Sequence, residues 1–427
     1  MRHSNGTFAR AGFSRRTFVA GAAAAAAMPL LGAADASTIA KMQRLLRIDP
    51  KFSGKGKTYD VGALVPLTGP GAIYGSHGTD IFKLAARDIA ALGGPMLNMI
   101  YKDNKSGDPQ AGVQAMRELG AAKVPMLLSS YSADLGASLP GIAEYKIFSI
   151  DGTGGTSMYA QNKPYFWGAI AITPNDAFPG AIKYVAAKMP QVKRIGFIGW
   201  DLGPLSDIVV KNLQKELAGT GFTQVSDERT KVGATDYSAA IQKVKASQPD
   251  IVFVAVYADD VGYFMKQYAT SGINKPVLCF AHTKAAAQIA GPAYDGVYFA
   301  FDYFDAERPS NPFAQYFVDS FKGMEGILPE FYPANFYEDA FVLWECIRRV
   351  LKSGGNPQDG TALDAALRSN PTFPSVYGGD SSKPGVIAFD LENHSVKKRP
   401  MMISQFKGGK VTPLASYDIG GSAFRLG

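Results

Sequence analysis

The residues of this chain best placed to do chemistry suit holding a small molecule rather than transforming one. Leu67–Gly78, LTGPGAIYGSHG, follows a short apolar run, Asp60–Leu67, and precedes a helical pattern at Ile81, Ala85, Ile89 and Leu92. A glycine-rich loop at the carboxyl end of a strand is where open α/β sheets take ligands. Its glycines let the backbone approach a bound molecule, and Tyr74 adds a ring with a hydroxyl tip. Catalytic groupings are missing from the sequence: there is no GxSxG, HExxH, phosphate-loop or strand-borne GxGxxG pattern. GTGGT, from Gly152, lacks the lysine and spacing of a phosphate cradle. His77, His282 and His394 are scattered without metal-ligand spacing, so neither metal nor cofactor is expected.

The elements that must position these residues alternate. After the opening strand, loop and helix come the strand MLNMIYKD, a helix over Asp108–Lys123, and the strand VPMLLSS. A helix over DLGASLPGIAEYK and the strand IFSIDG follow. The pattern restarts at KRIGFIGWDLGPLSD and continues through the apolar strand IVFVAVY, the helix DDVGYFMKQYATSGI and the strand PVLCFA. Strands alternating with helices predict βαβ units and parallel sheets. The fold class expected is therefore α/β, with two doubly wound, Rossmann-like lobes. The last portion, GVIAFDLENHSVKKRPMMISQFKGGKVTPLAS, reads as antiparallel strands with a Gly-Gly turn, able only to extend a sheet already formed.

At 427 residues the chain has room for two such cores, and 46% apolar with 19% charged residues is ordinary for a globular protein. Ser14-Arg15-Arg16-Thr17-Phe18 is a twin-arginine pattern, followed by the apolar stretch VAGAAAAAAMPLLGA and the small-x-small site Ala34-Asp35-Ala36. Residues 1–36 are expected to be a twin-arginine signal peptide, making the protein periplasmic. Ser37 to Lys57 is expected to be a mobile, lysine-rich extension. The formal charge of +7 falls to +4 once the signal is set aside, with 40 basic and 36 acidic side chains and no basic run. Nucleic acid is therefore not an expected partner. Cys279 and Cys346 are far apart in sequence, and separate buried thiols are the expected state, with a disulfide as the alternative.

In this order, VGALVPLTGPGAIYG with its helix, the VPMLLSSYSA loop, IVFVAVYADDVGYFMKQYATSGI and GVIAFDLENHSVKKRPMMISQFKGGKV resemble periplasmic solute-binding proteins of ABC importers. The type is the Leu/Ile/Val-binding (type I) family, and the resemblance covers nearly everything from Tyr59 onward. It implies a monomer of two lobes joined by a three-strand hinge and closing on a ligand. Lobe 1 would take residues 58–175 and 302–376, and lobe 2 would take 176–301 and 377–427. The implied function is capture of a small solute and its delivery to membrane permease and ATPase subunits. The alternatives are a ligand-sensing receptor module or, less favoured, an exported α/β enzyme.

Carried over residue by residue, Tyr74 matches an aromatic that packs on ligand. Tyr131 and Ser132 fall in a loop that holds a ligand carboxylate, and Thr153, Gly154 and Gly155 in the next such loop. Asp176 lies near the first hinge, and Tyr257 ends a lobe 2 strand at the cleft. The chain departs from the family after PVLCF: AHTKAAAQIAG carries His282 and Lys284 where amino-acid binders usually place an acid for the ligand ammonium. That favours a carboxylate without a tightly held ammonium, with His282 and Lys284 adding positive potential, unless Asp176, Asp201 or Asp259 substitutes. Trp200 suits a flat or apolar ligand body.

Overall fold

The computed structural model describes residues 35–130, 135–152, 160–170 and 174–427, and the structural statements below concern those residues. Two eight-stranded sheets lie within one compact unit, Gly32–Gly427. The first contains β1 (Thr58–Val65), β2 (Met96–Asp103), β3 (Met126–Ser129), β4 (Phe148–Asp151) and β5 (Phe166–Gly168). The second contains β6 (Arg194–Trp200), β7 (Thr223–Thr230), β8 (Ile251–Ala255), β9 (Val277–Cys279) and β10 (Tyr298–Asp302). The carboxyl-terminal strands divide between the sheets. β11 (Thr372–Asp380), β12 (Lys383–Asp390) and β13 (Ser395–Lys398) extend the first, while β14 (Pro400–Lys407), β15 (Lys410–Asp418) and β16 (Ser422–Leu426) extend the second.

The helices follow the same division. Lobe 1 carries α1 (Ala36–Leu45), α2 (Ala72–Ala91), α3 (Pro109–Ala121) and α4 (Leu135–Tyr145). Lobe 2 carries α5 (Pro174–Lys188), α6 (Pro204–Leu217), α7 (Ser238–Ala246), α8 (Asp259–Tyr268) and α9 (Lys284–Ala290). The chain then returns to lobe 1 with α10 (Pro312–Glu325), α11 (Phe331–Lys352) and α12 (Gly360–Ser369).

Strand orders explain where a ligand fits. The runs β5-β4-β3-β1-β2 and β10-β9-β8-β6-β7 are each parallel, and each reverses direction of growth beside its opening strand. Such a switch point leaves a crevice at the strand carboxyl ends. The central strands are apolar on both faces because helices cover both, and every residue of β8 is buried.

The division of the tail corrects the expected one. Residues 377–398 were expected in lobe 2, yet β12 pairs with β11 and β13, and β13 reaches β5 of the first sheet. The last crossover therefore falls between Lys398 and Pro400. Antiparallel strands carry no local signal for the sheet edge that will receive them, because that choice is made by long-range pairing.

The segment before β1 also departs from expectation. Asp35 caps α1 by accepting from the Thr38 N–H, and Met42 and Leu46 are buried. The Trp344 indole donates to the Ser53 carbonyl at 2.9 Å, and the Gln43 amide donates to the Leu92 carbonyl at 3.0 Å. The lead-in is thus docked on lobe 1 rather than extended from it. Cys279 on β9 and Cys346 on α11 are separate buried thiols in different lobes.

At the hinge, Arg399 donates 3.0 Å to the Asp302 carboxylate and also bonds Glu338 and Asn335 of α11. The guanidinium stacks over the Tyr377 ring, 4.3 Å from its centre. Glu338 also accepts from the Ser375 hydroxyl and, at 3.0 Å, from the Val376 N–H. Asp339, next to Glu338, is fully buried and neither carboxyl oxygen has a hydrogen-bond partner. One guanidinium therefore bonds two buried carboxyls, with a third close by. Burial and the neighbouring Glu338 push Asp339 far up, which keeps it neutral.

Candidate functional site: an aromatic cleft between the lobes

Tyr74 stands in the first turn of α2, not in a loop as the glycines suggested. The reason is close packing. A Cβ on Gly75 would lie 2.0 Å from the Pro66 carbonyl oxygen, so a glycine is needed for the helix to start against the end of β1. Tyr74 is buried, and its hydroxyl accepts a 2.7 Å hydrogen bond from the Ala258 N–H of the opposite lobe. Its ring meets Tyr332 edge-on, with centres 4.7 Å apart. Tyr332 opens α11 and was not singled out from sequence; its signal is an aromatic pair, Phe331-Tyr332, at a helix start.

From lobe 2, Tyr257 follows β8 and Trp200 ends β6. Their rings are edge-on at 5.0 Å, and Ala258, next after Tyr257, is the residue that Tyr74 holds. The structure thus brings Tyr74, Trp200 and Tyr257 together with Tyr332 across the cleft. The Trp200 indole donates 2.7 Å to the buried carboxylate of Asp260, which also accepts from the Gly233 N–H at 2.9 Å. Gly233 approaches lobe 1: a Cβ there would lie 2.4 Å from Cγ of Pro70.

His282 is placed apart from this group. It lines a flanking cavity of about 600 Å³ with Lys284, Phe301, Glu330, Phe331 and Phe406. Its Nδ1 is 3.1 Å from the Tyr294 hydroxyl, and Phe299 and Phe406 pack on its ring. Burial, with Lys284 nearby, pushes its pKa down to about 4. The imidazole is therefore neutral at neutral pH and supplies none of the positive potential expected of it. Lys284 contributes its backbone N–H, which donates 3.1 Å to Glu330 and makes a second contact between lobes.

The acids proposed as substitutes differ in availability. Asp201 is exposed and accepts from the Gly203 N–H within its own turn. Asp176 is half-buried in the first turn of α5. Asp259 opens α8 beside Tyr257, and its buried Oδ1 has no hydrogen-bond partner. Tyr131, Ser132, Thr153, Gly154 and Gly155 lie outside the described residues. His77 is half-buried in α2, and His394 stacks on Trp167 at 4.3 Å. Among the described residues no group of histidine, cysteine and carboxylate side chains could hold a metal ion.

Two switch-point sheets facing each other over an aromatic crevice, crossed three times by the chain, define a binding protein that encloses a small molecule between lobes. The chain belongs to the periplasmic binding protein family, whose profile matches residues 58–410. Membership implies an extracytoplasmic location. Over 350 residues it is 24% identical to a Leu/Ile/Val-binding protein homologue of Brucella suis, covering 78% of this chain and 90% of the relative. A solute-binding protein of an ABC transporter from R. palustris, solved with benzoate, superimposes with a TM-score of 0.71 at 19% identity, over 87% of this chain and 98% of that one. A branched-chain amino acid transporter substrate-binding protein from Streptococcus pneumoniae, solved with isoleucine, gives 0.70 at 19% identity, over 85% and 99%. At these identities the two solved structures are alike in fold. Among the described residues no helix is long and apolar enough to cross a membrane.

Proposed function

We propose that this protein is the extracytoplasmic substrate-binding protein of an ABC importer, capturing a small carboxylate or amino-acid-like solute by closure of its lobes. The observation that carries this reading is the Tyr74–Ala258 hydrogen bond, which closes an aromatic-walled cleft with groups from both lobes. An aromatic or branched-chain body fits between Tyr74, Trp200, Tyr257 and Tyr332. The carboxylate is assigned to Tyr131–Ser132 and Thr153–Gly155, which follow β3 and β4 in the sequence. Exposed N–H groups and hydroxyls at strand ends suit an anion. Asp259 is the acid best placed to receive an ammonium if the ligand carries one.

Export is assigned to residues 1–36 by the twin-arginine route, and the partners to membrane permease and ATPase subunits, with the binding protein acting as a monomer. Binding to the closed native form alone adds about 2.7 kcal/mol of stability at a hundredfold excess over Kd. A thermal-shift series of benzoate, branched-chain 2-oxo acids and their matching amino acids tests the reading. Calorimetry then ranks the oxo acid against the amino acid. A stabilising shift with at least one acid is expected. No shift with any of them, together with turnover of an ester or peptide, would favour an enzyme.

A further inference from the structure

We propose that Asp260 is a positioning residue for the ligand, fixing Trp200 as one wall of the cleft and so setting discrimination between flat and branched ligands. The proposal rests on the solute-binding reading above. Asp260 lies in the first turn of α8, only 3% exposed, where the helix dipole favours a carboxylate. Its Oδ2 accepts from the Trp200 indole at 2.7 Å and from the Gly233 N–H at 2.9 Å.

The two donors come from separate loops that sequence alone does not join. Trp200 ends β6, and Gly233 lies between β7 and α7 against Pro70 of lobe 1. Asp260 itself stands two residues after Ala258, the residue held by Tyr74. A single oxygen thus ties together three pieces of the lobe 2 surface that meets lobe 1. The second torsion of an aromatic side chain has broad, roughly two-fold wells. A charge-assisted hydrogen bond from the indole selects one of them and holds the ring edge-on to Tyr257. With an apolar residue at 260, the indole and Gly233 N–H groups would both be left without this acceptor.

The titratable groups that bear on Asp260 are Asp259 on the same helix, Tyr237 at the start of α7, and Tyr74 across the cleft. Burial pushes the Asp260 carboxyl up to about 6, against the opposing hydrogen bonds from Trp200 and Gly233. Above that pH the indole bond is charge-assisted, and below it the bond is neutral and weaker.

Two measurements on the intact protein test this. In the first, tryptophan emission is titrated without ligand. It should shift with a midpoint near pH 6 and lose that shift in both Asp260→Asn and Trp200→Phe. In the second, calorimetry compares benzoate with isoleucine. Asp260→Leu should weaken benzoate at least tenfold more than isoleucine, and Asp260→Asn, which keeps one acceptor oxygen, should restore most of the loss. If Asp260→Leu does not fold, the Asp260→Asn emission titration decides. An unchanged emission titration in Asp260→Asn, or equal weakening of both ligands, overturns the proposal. Failure of both ligands to bind the unaltered protein would instead count against the solute-binding reading, and the emission titration would still decide the role of Asp260.

Discussion

Arg399 and Asp302 form a 3.0 Å ion pair that joins two of the three crossovers between the lobes, Asp302 at the end of β10 and Arg399 between β13 and β14. Both residues are almost wholly buried, and Glu338 and Asp339 of α11 lie beside them. Removing the only guanidinium of this cluster strands buried carboxyls, which costs about 3–5 kcal/mol. Arg399→Met should therefore lower the free energy of unfolding by that amount in urea titration. A loss below about 1 kcal/mol would show that the cluster is neutral throughout.

The same cluster predicts a pH dependence. Burial pushes Asp302 up to about 6 from 3.8, although Arg399 opposes the shift. The folded protein then keeps a proton that the unfolded chain releases between those values. This contribution to stability is complete below about pH 4 and is lost as pH rises through about 6. Urea midpoints measured from pH 4 to 7 should show a downward component across that window that disappears in Asp302→Asn.

Tyr74→Phe deletes the acceptor for the Ala258 N–H and leaves a buried donor unmatched. The cost is about 1–3 kcal/mol, borne by the closed form alone. Ligand affinity should fall about tenfold or more in calorimetry, with little change in the melting temperature of the unliganded protein. Equal affinity in the two proteins would show that the bond does not form in the liganded state.

Gly233→Ala tests closure from the other side. The φ of +74° disfavours a side chain, and the new Cβ would press on Pro70. Backbone strain of about 1–2 kcal/mol bears on open and closed forms alike, whereas the press on Pro70 bears on closure, so binding should weaken. Scattering curves should show a larger radius of gyration with ligand than the unaltered protein gives.

Replacing Arg15 and Arg16 with lysine should leave precursor in the cytoplasm if export follows the twin-arginine route. Fractionation and immunoblotting read this directly, and normal export of the variant would point to a different translocation pathway.

The glycine-rich start of α2 marks how far sequence reading reached. It placed Tyr74 correctly at the carboxyl end of β1, because strand and helix periodicity are local. It misread the glycines as loop, because the demand on Gly75 comes from the Pro66 carbonyl that packs against it. The order of βα units, the restart at Lys193 and the antiparallel character of the tail were also legible, each set by neighbours within a few residues.

Other features depend on partners distant in the chain. The sheet that each tail strand joins depends on long-range pairing, and the docking of the lead-in through Trp344 and Ser53 and the meeting of Trp200 with Asp260 depend on contacts across about 60 to 290 residues. The neutral state of His282 depends on desolvation by Tyr294, Phe299 and Phe406, which no residue beside it in sequence reveals. Periodicity and turn chemistry act over a few residues, so the sequence by itself determined the two-lobed α/β class and the strand ends where a ligand would sit. Pairing, burial and charge compensation act through space, so only the tertiary structure decided which side chains face one another across the cleft.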